Sequence, residues 1–224
     1  MRTVAIIQAR MGSKRLPGKA LELIGPRPVL GWVIKRAQEV RGVDEVIVAT
    51  TDMTEDDRIA RFVAVAGLPC YRGAADDVLE RYSRAAEKTE ATHILRVTAD
   101  CPLMCPDLNS RIVDCLHQTD KDYVSMSTRS NGFVQEAFTR AALTEANVMA
   151  TTPNDREHVV PYMIRNLKSR FLRSDHDLGA GRWCVDTLED LKMLRSKYVN
   201  DFGLFNRTAY EILSMRSGHE FATG

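Results

Sequence analysis

The stretch that decides the fold lies at residues 3–19 and reads TVAIIQA followed by RMGSKRLPGK. Its first seven residues are mostly apolar and include β-branched side chains, a composition typical of a buried parallel strand. The next ten residues form a loop with four cationic side chains, two glycines and a serine. Ligands of open α/β sheets bind beyond the carboxyl ends of the strands. The stretch therefore predicts an α/β fold with an anion site directly after the first strand.

The chain downstream of this loop alternates between strand and helix patterns. Further strands are predicted at residues 45–50, 93–98 and 123–127, and helices at residues 28–40, 54–66, 77–88 and 107–117. Strands that alternate with helices at this spacing favour a parallel sheet with helices on both faces. The predicted fold class is therefore α/β, with a doubly wound, mostly parallel sheet.

The pattern changes after about residue 127. We interpret residues 129–180 as a small lobe inserted within a single domain that spans residues 1–224. The elements predicted from here on are helices at 140–149 and 156–165, strands at 170–173 and 182–185, a helix that begins at Thr187, and a short helix at 209–215.

Composition restricts the class of protein. The chain has 224 residues, a net charge of +1, 44% hydrophobic residues and 27% charged residues, as expected of a globular domain with a core. A basic stripe of the kind that binds nucleic acid is absent from the sequence. The N-terminus lacks a signal-peptide pattern, and no apolar stretch approaches the roughly 18 residues that a membrane span needs. We therefore expect a cytoplasmic protein without a nucleic-acid or membrane partner.

The five cysteines, at positions 70, 101, 105, 115 and 184, are scattered along the chain. Reduced, buried thiols are their expected state. Cys101 and Cys105 have C-x3-C spacing, but neither a second cysteine pair nor a nearby histidine accompanies them. A zinc site is therefore not expected.

The loop at residues 10–19 has the chemistry of a phosphate site. Glycine lets the backbone come close to a phosphate, arginine makes bidentate contacts, and lysine supplies a movable charge. The loop is not a Walker A motif, because five residues rather than four separate Gly12 from Gly18, and Ala20 replaces the magnesium-binding serine or threonine. A solvated basic loop is the alternative interpretation.

Two carboxylates follow predicted strands later in the chain. Asp100 lies in RVTADCP at residues 96–102, and Asp186 lies in WCVDTLEDL at residues 183–191. Mg²⁺ binds one or two carboxylates together with phosphate oxygens, so adjacent strands would let the two side chains share one ion. Each carboxylate also has a structural alternative. Asp100 precedes a turn that contains Pro102 and is a candidate cap, and a weak capping-box pattern begins at Thr187, directly after Asp186.

The three motifs, in this order, resemble those of the sugar-acid cytidylyltransferases, the family of the CMP-Kdo and CMP-sialic acid synthetases. The chain most resembles the SpsF-like branch of spore-coat polysaccharide biosynthesis, in which IIQARMGSxRLPGK opens the chain; residues 6–19 match it almost without a break. DVLERY at residues 77–82 and DREHV at residues 155–159 are also similar to that branch. The resemblance covers most of the chain. It implies the nucleotide-diphospho-sugar transferase fold, which is GT-A-like, and a homodimer in which the inserted lobe takes part.

The resemblance implies an enzyme that transfers CMP from CTP to an acidic sugar or related small acceptor, with release of pyrophosphate, in surface polysaccharide or glycan biosynthesis. Arg10, Lys19 and Asp100 would be catalytic. Asp100 and Asp186 would hold Mg²⁺. The nucleotide-binding residues that the family implies are Ala9, Arg10, Gly12, Ser13, Arg15, Lys19, Asp77, Arg81 and Thr98.

Two further residues are candidates for binding the acceptor. Arg156 is suited to an acceptor carboxylate, because its guanidinium makes bidentate contacts. His158 is a candidate for the acceptor or the partner subunit, with a surface position at a helix start as the alternative. Phe133 and Phe138 fall in the inserted lobe and are candidates for the dimer interface.

Some features leave the substrate and the class of activity open. The Kdo branch commonly has QGDEP where this chain has TADCP at residues 98–102. Neither cytosine selection through that glutamine nor Kdo as the acceptor therefore follows from the resemblance. A glycosyltransferase of the same fold class is one alternative, although the region around Asp100 lacks the usual D-x-D motif. A catalytically silent nucleotide-binding protein of a polysaccharide operon is the other.

Overall fold

The fold is built around one sheet of seven strands. The computed structural model describes residues 1–128, 130–174, 181–201 and 203–207. Its strands are β1 (Thr3–Gln8), β2 (Leu23–Ile24), β3 (Arg27–Pro28), β4 (Glu45–Thr51), β5 (Cys70–Gly73), β6 (His93–Thr98), β7 (Tyr123–Ser127), β8 (Ser130–Asn131), β9 (Glu136–Thr139), β10 (Ser169–Arg173) and β11 (Gly181–Arg182). Its α-helices are α1 (Val29–Gln38), α2 (Asp57–Val65), α3 (Val78–Lys88), α4 (Pro106–Gln118), α5 (Arg140–Met149), α6 (Pro153–His158), α7 (Pro161–Asn166) and α8 (Leu188–Asn200), and short 3-10 helices lie at Lys19–Leu21, Thr54–Asp56 and Leu204–Asn206.

The strand order of the main sheet is β10-β7-β9-β6-β1-β4-β5. The pairings of β1 with β6, β1 with β4, β4 with β5 and β7 with β10 are all parallel. Only β9 runs antiparallel to its two neighbours in this sheet, β6 and β7. The predicted α/β class with a doubly wound, mostly parallel sheet is confirmed.

Helices cover both faces of the sheet because β1, an interior strand, is apolar on both sides. Val4 and Ile6 of β1 are completely buried in the core shared with α3 and α5. Ala5 and Ile7 are completely buried on the other face, in the core shared with α1 and α4. The alternation follows from the two-residue repeat of a strand. Within the described ranges, every helix is too short or too polar to span a bilayer.

Tyr82 fastens α3 to the sheet. Its side chain is completely buried, and its hydroxyl donates to the carbonyl oxygens of Ile6 at 3.1 Å and Val97 at 3.2 Å. Burial raises the pKa of Tyr82, so the hydroxyl stays protonated and able to donate. The start of α3 is thereby held near the carboxyl ends of β1 and β6.

Most predicted elements agree with the structure to within one or two residues, but the predicted single helix at 156–165 is wrong. α6 ends at His158, and α7 begins at Pro161. Val159 between them has a φ of 71°, which lies outside the helical region. Pro161 also lacks the amide hydrogen that a continuous helix would need.

The predicted strand at 182–185 is wrong beyond Arg182. The ladder of β11 with β8 ends at Arg182, and one more hydrogen bond follows it, from the amide of Trp183 to the carbonyl oxygen of Asn131 at 2.9 Å. The amide of Val185 instead donates to the carbonyl oxygen of Asp100 at 2.8 Å. The sequence pattern did not predict β5 or β9, because both are short and neither alternates clearly. The helix predicted at 209–215 lies outside the described residues.

The segment at 129–180 contributes two strands, β9 and β10, to the main sheet, and its helices α5 and α6 pack on α3. Phe133 and Phe138 are completely buried in the core, so their assignment to a dimer interface is wrong. The large apolar side chains that the described part of the segment exposes are Val148, Met149, Ile164 and Phe171. A role of this segment in a homodimer stays a prediction.

A buried carboxylate joins the loop after β1 to the rest of the fold. Asp56 is completely buried and accepts hydrogen bonds from the amide of Met11 at 2.6 Å and the amide of Thr51 at 3.2 Å. It also accepts the hydroxyl of Thr51. Because Met11 belongs to the loop and Thr51 ends β4, this side chain fixes two neighbouring strand ends relative to each other.

We expect Asp56→Ala to lower the free energy of unfolding by about 2–4 kcal/mol, because it leaves buried donors of Met11 and Thr51 without an acceptor. Asp57→Ala is the matched control. Its carboxylate is 41% exposed and pairs with Arg72 at 2.6 Å, so its loss should cost about 1 kcal/mol or less. Urea unfolding followed by circular dichroism measures both variants. Equal destabilisation by the two would contradict the anchoring role of Asp56.

Candidate active site

A cavity of about 360 Å³ opens at the carboxyl ends of β1 and β6. The loop at residues 10–19, the start of α3, the end of β6 and the end of α6 form most of its wall, and Asp186 completes it. This volume lies in the range of small-molecule sites. The cavity therefore lies at the edge of the sheet where the sequence predicts a ligand.

The loop at residues 10–19 folds back on itself at Met11. The amides of Ser13 and Gly18 both donate to the carbonyl oxygen of Met11 at 2.8 Å. Gly18 has a φ of 77°, which glycine adopts without the strain that a Cβ would add. Lys19 follows at once and lines the cavity, so the turn determines where this side chain lies.

Lys19 lies between two carboxylates from distant parts of the chain. Its Nζ is 2.8 Å from Oδ2 of Asp100 and 2.9 Å from Oδ1 of Asp186. Burial opposes the charged form of Lys19, but the two carboxylates outweigh burial and raise its pKa above the usual value. The ammonium therefore stays charged at neutral pH.

Asp186 is surrounded by cations. Nη2 of Arg15 lies 2.8 Å from its Oδ1, and Arg182 contacts its Oδ2. Burial works against ionisation, but Lys19 and the two arginines outweigh burial and lower the pKa of Asp186. This carboxylate is therefore ionised throughout the neutral range.

The backbone around Asp186 is held from both sides. Thr187 caps α8, and the Asp190 carboxylate accepts from the amides of Asp186 at 2.9 Å and Thr187 at 2.8 Å. This is the predicted capping box. On the other side, the hydrogen bond from Val185 to Asp100 joins the two carboxylate-bearing segments directly.

Asp100 and Asp186 fit a magnesium ion in combination with a phosphorylated ligand. Among the described residues, no group of three or more histidine, cysteine, aspartate or glutamate side chains is arranged to hold a metal. The two carboxylates supply the hard oxygen donors that Mg²⁺ prefers, and this ion takes other ligands from phosphates and water. The position between them already accommodates a cation, the ammonium of Lys19.

Two polar side chains of the cavity wall have buried atoms that find no partner among the described residues. They are Oε1 of Gln8 and Nε of Arg81. Arg81 donates through Nη1 to the carbonyl oxygen of Ala74 at 2.6 Å, and burial lowers its pKa. Buried polar groups are normally hydrogen-bonded, so these two atoms are exceptions among the residues of the cavity wall.

The structure brings most of the residues predicted for the site to this cavity. Those in its wall are Ala9, Arg10, Ser13, Arg15, Lys19, Arg81, Thr98, Asp100, His158 and Asp186. Gly12, Asp77 and Arg156 are not in the wall. Gly12 lies against Glu55, whose Oε1 would be 2.7 Å from a Cβ at that position.

Arg156 and Asp77 bind each other instead. Nε of Arg156 is 3.0 Å from Oδ2 of Asp77, and Nη1 donates to the carbonyl oxygen of Asn147 at 2.8 Å. Asp77 also caps α3 by accepting from the amide of Glu80 at 2.9 Å. These contacts join α3, α5 and α6, and the ligand-binding roles of both residues stay predictions.

The sequence prediction missed several residues of the wall, including Gln8, Lys14, Val78 and Glu157. Gln8 and Lys14 lie in or beside the loop motif, so their position in the sequence was a usable signal. The carboxylate of Glu157 lies 3.8 Å from Nη2 of Arg10. The sequence indicated Glu157 less clearly, because this residue reaches the cavity only through the position of α6 in the fold.

Two cysteines meet beside Asp100. The Sγ atoms of Cys101 and Cys184 are 3.3 Å apart. Sγ of Cys101 also lies 3.2 Å from Oγ1 of Thr98 and 3.5 Å from Oδ1 of Asp100. The hydrogen bond with Cys184 and burial raise the pKa of Cys101, and all five cysteines are free thiols.

Comparisons with known proteins connect this geometry to one family. The cytidylyltransferase family profile matches residues 4–202. The chain is 31% identical over 219 residues to a 3-deoxy-manno-octulosonate cytidylyltransferase of Anaeromyxobacter dehalogenans, covering 88% of this chain and 87% of the relative. It is 28% identical over 204 residues to the spore coat polysaccharide biosynthesis protein SpsF of Bacillus subtilis, covering 86% of this chain and 85% of the relative.

A solved structure extends the match to three dimensions. A cytidylyltransferase from Leptospira borgpetersenii aligns with a TM-score of 0.91 and 28% identity, covering 98% of this chain and 95% of that one. The resemblance stated from the sequence motifs is therefore confirmed. The chain belongs to the cytidylyltransferase family and is a CTP-dependent nucleotidyltransferase.

Proposed function

We propose that this enzyme transfers CMP from CTP to a hydroxyl group of an acidic sugar or a related small acceptor, releases pyrophosphate, and serves the biosynthesis of a surface polysaccharide or glycan. One observation carries the proposal: the cationic loop ends at Lys19, which lies between Asp100 and Asp186 in the wall of the cavity. The names of the relatives support the acceptor class, since one concerns an acidic sugar and the other a coat polysaccharide.

The loop supports binding of the triphosphate. Arg10, Ser13, Lys14 and Arg15 all line the cavity. The side chains of Arg10 and Arg15 are 46% and 59% exposed, so an incoming polyanion can reach them. Arginine binds phosphate through charge-assisted, bidentate hydrogen bonds. Positioning and charge neutralisation of this kind supply most of the catalysis in phosphoryl transfer.

In the proposed reaction, the acceptor oxygen attacks the α-phosphorus of CTP in line with the departing pyrophosphate. Lys19 offsets the charge that develops on the α-phosphate, and Arg10 and Arg15 hold the leaving group. Two routes are proposed for the hydroxyl proton. Either the carboxylate of Asp100 accepts it, since this side chain lies in the cavity wall and is 26% exposed, or a bound metal ion would lower the pKa of the hydroxyl instead.

Asp100 and Asp186 would hold Mg²⁺, which when bound neutralises phosphate oxygens and lowers the pKa of a bound hydroxyl. Lys19 would have to leave the position between them to make room for such an ion. Its four-carbon stem is flexible, so the ammonium can turn from the carboxylates to a phosphate. The negative oxygens of CTP replace the carboxylate contacts that Lys19 gives up.

His158 is the proposed contact of the acceptor, since it lines the cavity at the end of α6. Arg156 supports the same wall through its bonds to Asp77 and Asn147. It would bind an acceptor carboxylate directly only by releasing Asp77. The proposed acceptor side of the cavity is therefore the end of α6.

Pyrophosphate release with CTP, UTP, GTP or ATP, in the presence of Mg²⁺ and a panel of acceptors, tests the proposal. The panel contains an octulosonic acid, a nonulosonic acid and a neutral hexose. Release that needs both CTP and an acidic sugar is the expected result. Transfer from a preformed nucleotide sugar would favour a glycosyltransferase. CTP binding without turnover across the panel would favour a silent nucleotide-binding protein.

We expect Lys19→Ala to lower kcat/KM for CTP at least about tenfold, because a charge-assisted phosphate contact contributes roughly 1.5–3 kcal/mol. Lys35→Ala is the control, since Lys35 pairs with Glu39 on α1 and is absent from the cavity wall. Circular dichroism verifies that both variants are folded. Unchanged CTP kinetics in folded Lys19→Ala would remove this residue from the phosphate site.

We expect Asp100→Asn to remain folded and to lose turnover by roughly a hundredfold at limiting Mg²⁺, because a neutral amide is a poor ligand for a hard cation. Asp107→Asn, at an exposed position in the first turn of α4, is the control for removing one negative charge. Initial rates are measured across a magnesium titration. Wild-type rates for Asp100→Asn at limiting Mg²⁺ would show that the metal assignment is wrong.

A further inference from the structure

Two thiols meet in the part of the fold that carries Asp100 and Asp186. Cys101 follows Asp100 directly, and Cys184 lies two residues before Asp186. Their Sγ atoms are 3.3 Å apart, although 83 residues separate them in the chain. In the described part of the chain, this is the one cysteine pair whose sulfur atoms are in contact.

The two sulfur atoms are already close to bonding distance. A disulfide bond is about 2.05 Å long, so the sulfur atoms have to approach by only about 1.2 Å. The amide of Val185 donates to the carbonyl oxygen of Asp100 at 2.8 Å. This hydrogen bond holds the residues next to both cysteines together, so the remaining approach is shared between side-chain rotation and a small shift of the two backbone segments.

The two thiols differ in access to solvent. Cys184 is partly exposed, whereas Cys101 is 5% exposed. A small oxidant therefore reaches Cys184 first. Cys101 then lies beside the oxidised sulfur, protected from solvent, in the position of a resolving thiol.

We propose that Cys101 and Cys184 are a reversible dithiol–disulfide site, oxidised by a small peroxide and reduced by a dithiol, whose closure inactivates the nucleotide site. The sulfur of Cys184 attacks one oxygen of hydrogen peroxide, the O–O bond breaks, and a sulfenic acid and one water form. The sulfur of Cys101 attacks the sulfenic sulfur, and the sulfenic oxygen leaves with the proton of Cys101 as a second water. Two thiols and one peroxide thus give one disulfide and two waters.

Closure changes the surroundings of both carboxylates. In the reduced protein, Sγ of Cys101 contacts Asp100 at 3.5 Å and Thr98 at 3.2 Å. The disulfide draws this sulfur towards Cys184 and removes the thiol hydrogen, so these contacts are lost. Because Lys19 bridges Asp100 and Asp186, a shift of either segment disturbs the spacing on which the bridge depends.

The two cysteines are therefore positioning residues, since neither of them lines the cavity. The loss of activity rests on the proposed function, whereas formation of the disulfide does not. Misplacement of reacting groups by about 1 Å can lower a rate by a factor on the order of 100. The two sulfur atoms approach each other by about 1.2 Å, and the part of this movement that the backbone takes up displaces Asp100 and Asp186, the near neighbours of the two cysteines in the chain.

Peptide mapping tests the disulfide itself. The full chain is treated with hydrogen peroxide at equimolar to tenfold excess, the remaining thiols are alkylated, and non-reduced peptides are analysed by mass spectrometry. Free thiols should fall from five to three, because one disulfide consumes two. The cross-link should join Cys101 to Cys184 and disappear in Cys184→Ser. It should persist in Cys115→Ser, which changes a thiol that is also partly exposed.

A cross-link between other cysteines would overturn the assignment. So would oxidation that stops at an irreversible sulfinic acid on Cys184. Both outcomes are read from peptide masses alone, and they hold whether or not the proposed acceptor is correct.

Pyrophosphate release, measured on each protein before and after oxidation, tests the consequence. We expect release by the wild-type protein to fall about tenfold or more on oxidation and to recover with dithiothreitol. Cys184→Ser, compared with its own untreated sample, should resist the peroxide. A mapped cross-link with unchanged release would overturn the inactivation.

A protein that turns over none of the acceptors can still be tested through the rise in melting temperature that CTP and Mg²⁺ produce, since a ligand that binds only the native state stabilises it. Loss of that rise on oxidation, and its return with dithiothreitol, supports the proposal. An identical rise in the reduced and oxidised proteins overturns it.

Discussion

The ion pairs of Lys19 hold the site together, because they join three segments that are far apart in the chain. Asp100 lies 81 residues from Lys19, and Asp186 lies 167 residues from it. Lys19 places a positive charge between the two acidic side chains, 2.8 Å from Asp100 and 2.9 Å from Asp186. It thereby offsets negative charge in a partly buried position before any ligand arrives. The ion pairs of the site are therefore formed without a substrate.

Several buried contacts determine where these charges lie. Asp56 holds the loop after β1 through the amide of Met11, and Tyr82 holds α3 against β1 and β6. The amide of Val185 holds the segment of Asp186 against Asp100. All of these groups act at the carboxyl ends of parallel strands. The structure therefore places flexible, charged side chains on a backbone with little freedom, which is the arrangement that catalysis by positioning needs.

The sequence was sufficient for the features that local pattern determines. The short apolar run of β1, with its β-branched side chains, predicted a buried parallel strand, and the loop motif predicted Lys19 and Arg10 in the site. Contacts between residues that lie far apart in the chain were not predictable from the sequence. The four residues of β9 do not reveal that they pair antiparallel with β6 and β7. Arg156 is another case, because its sequence context cannot show whether it faces a ligand or a carboxylate 79 residues away. Local pattern identifies the chemistry of a residue, whereas its partner depends on the complete fold.

The position of β9 in the chain determines when the main sheet can form during synthesis of the protein. β9 comes later in the chain than both of its neighbours, β6 and β7. While the protein is being synthesised, β6 therefore presents an open edge with unpaired backbone groups until β9 arrives. Open edges of this kind favour association with other chains. Asp100 is already present at that stage, but Asp186 is not. A nascent chain that has reached only β7 thus exposes the edge of β6 and lacks Asp186, and β9 completes the sheet before Asp186 is synthesised.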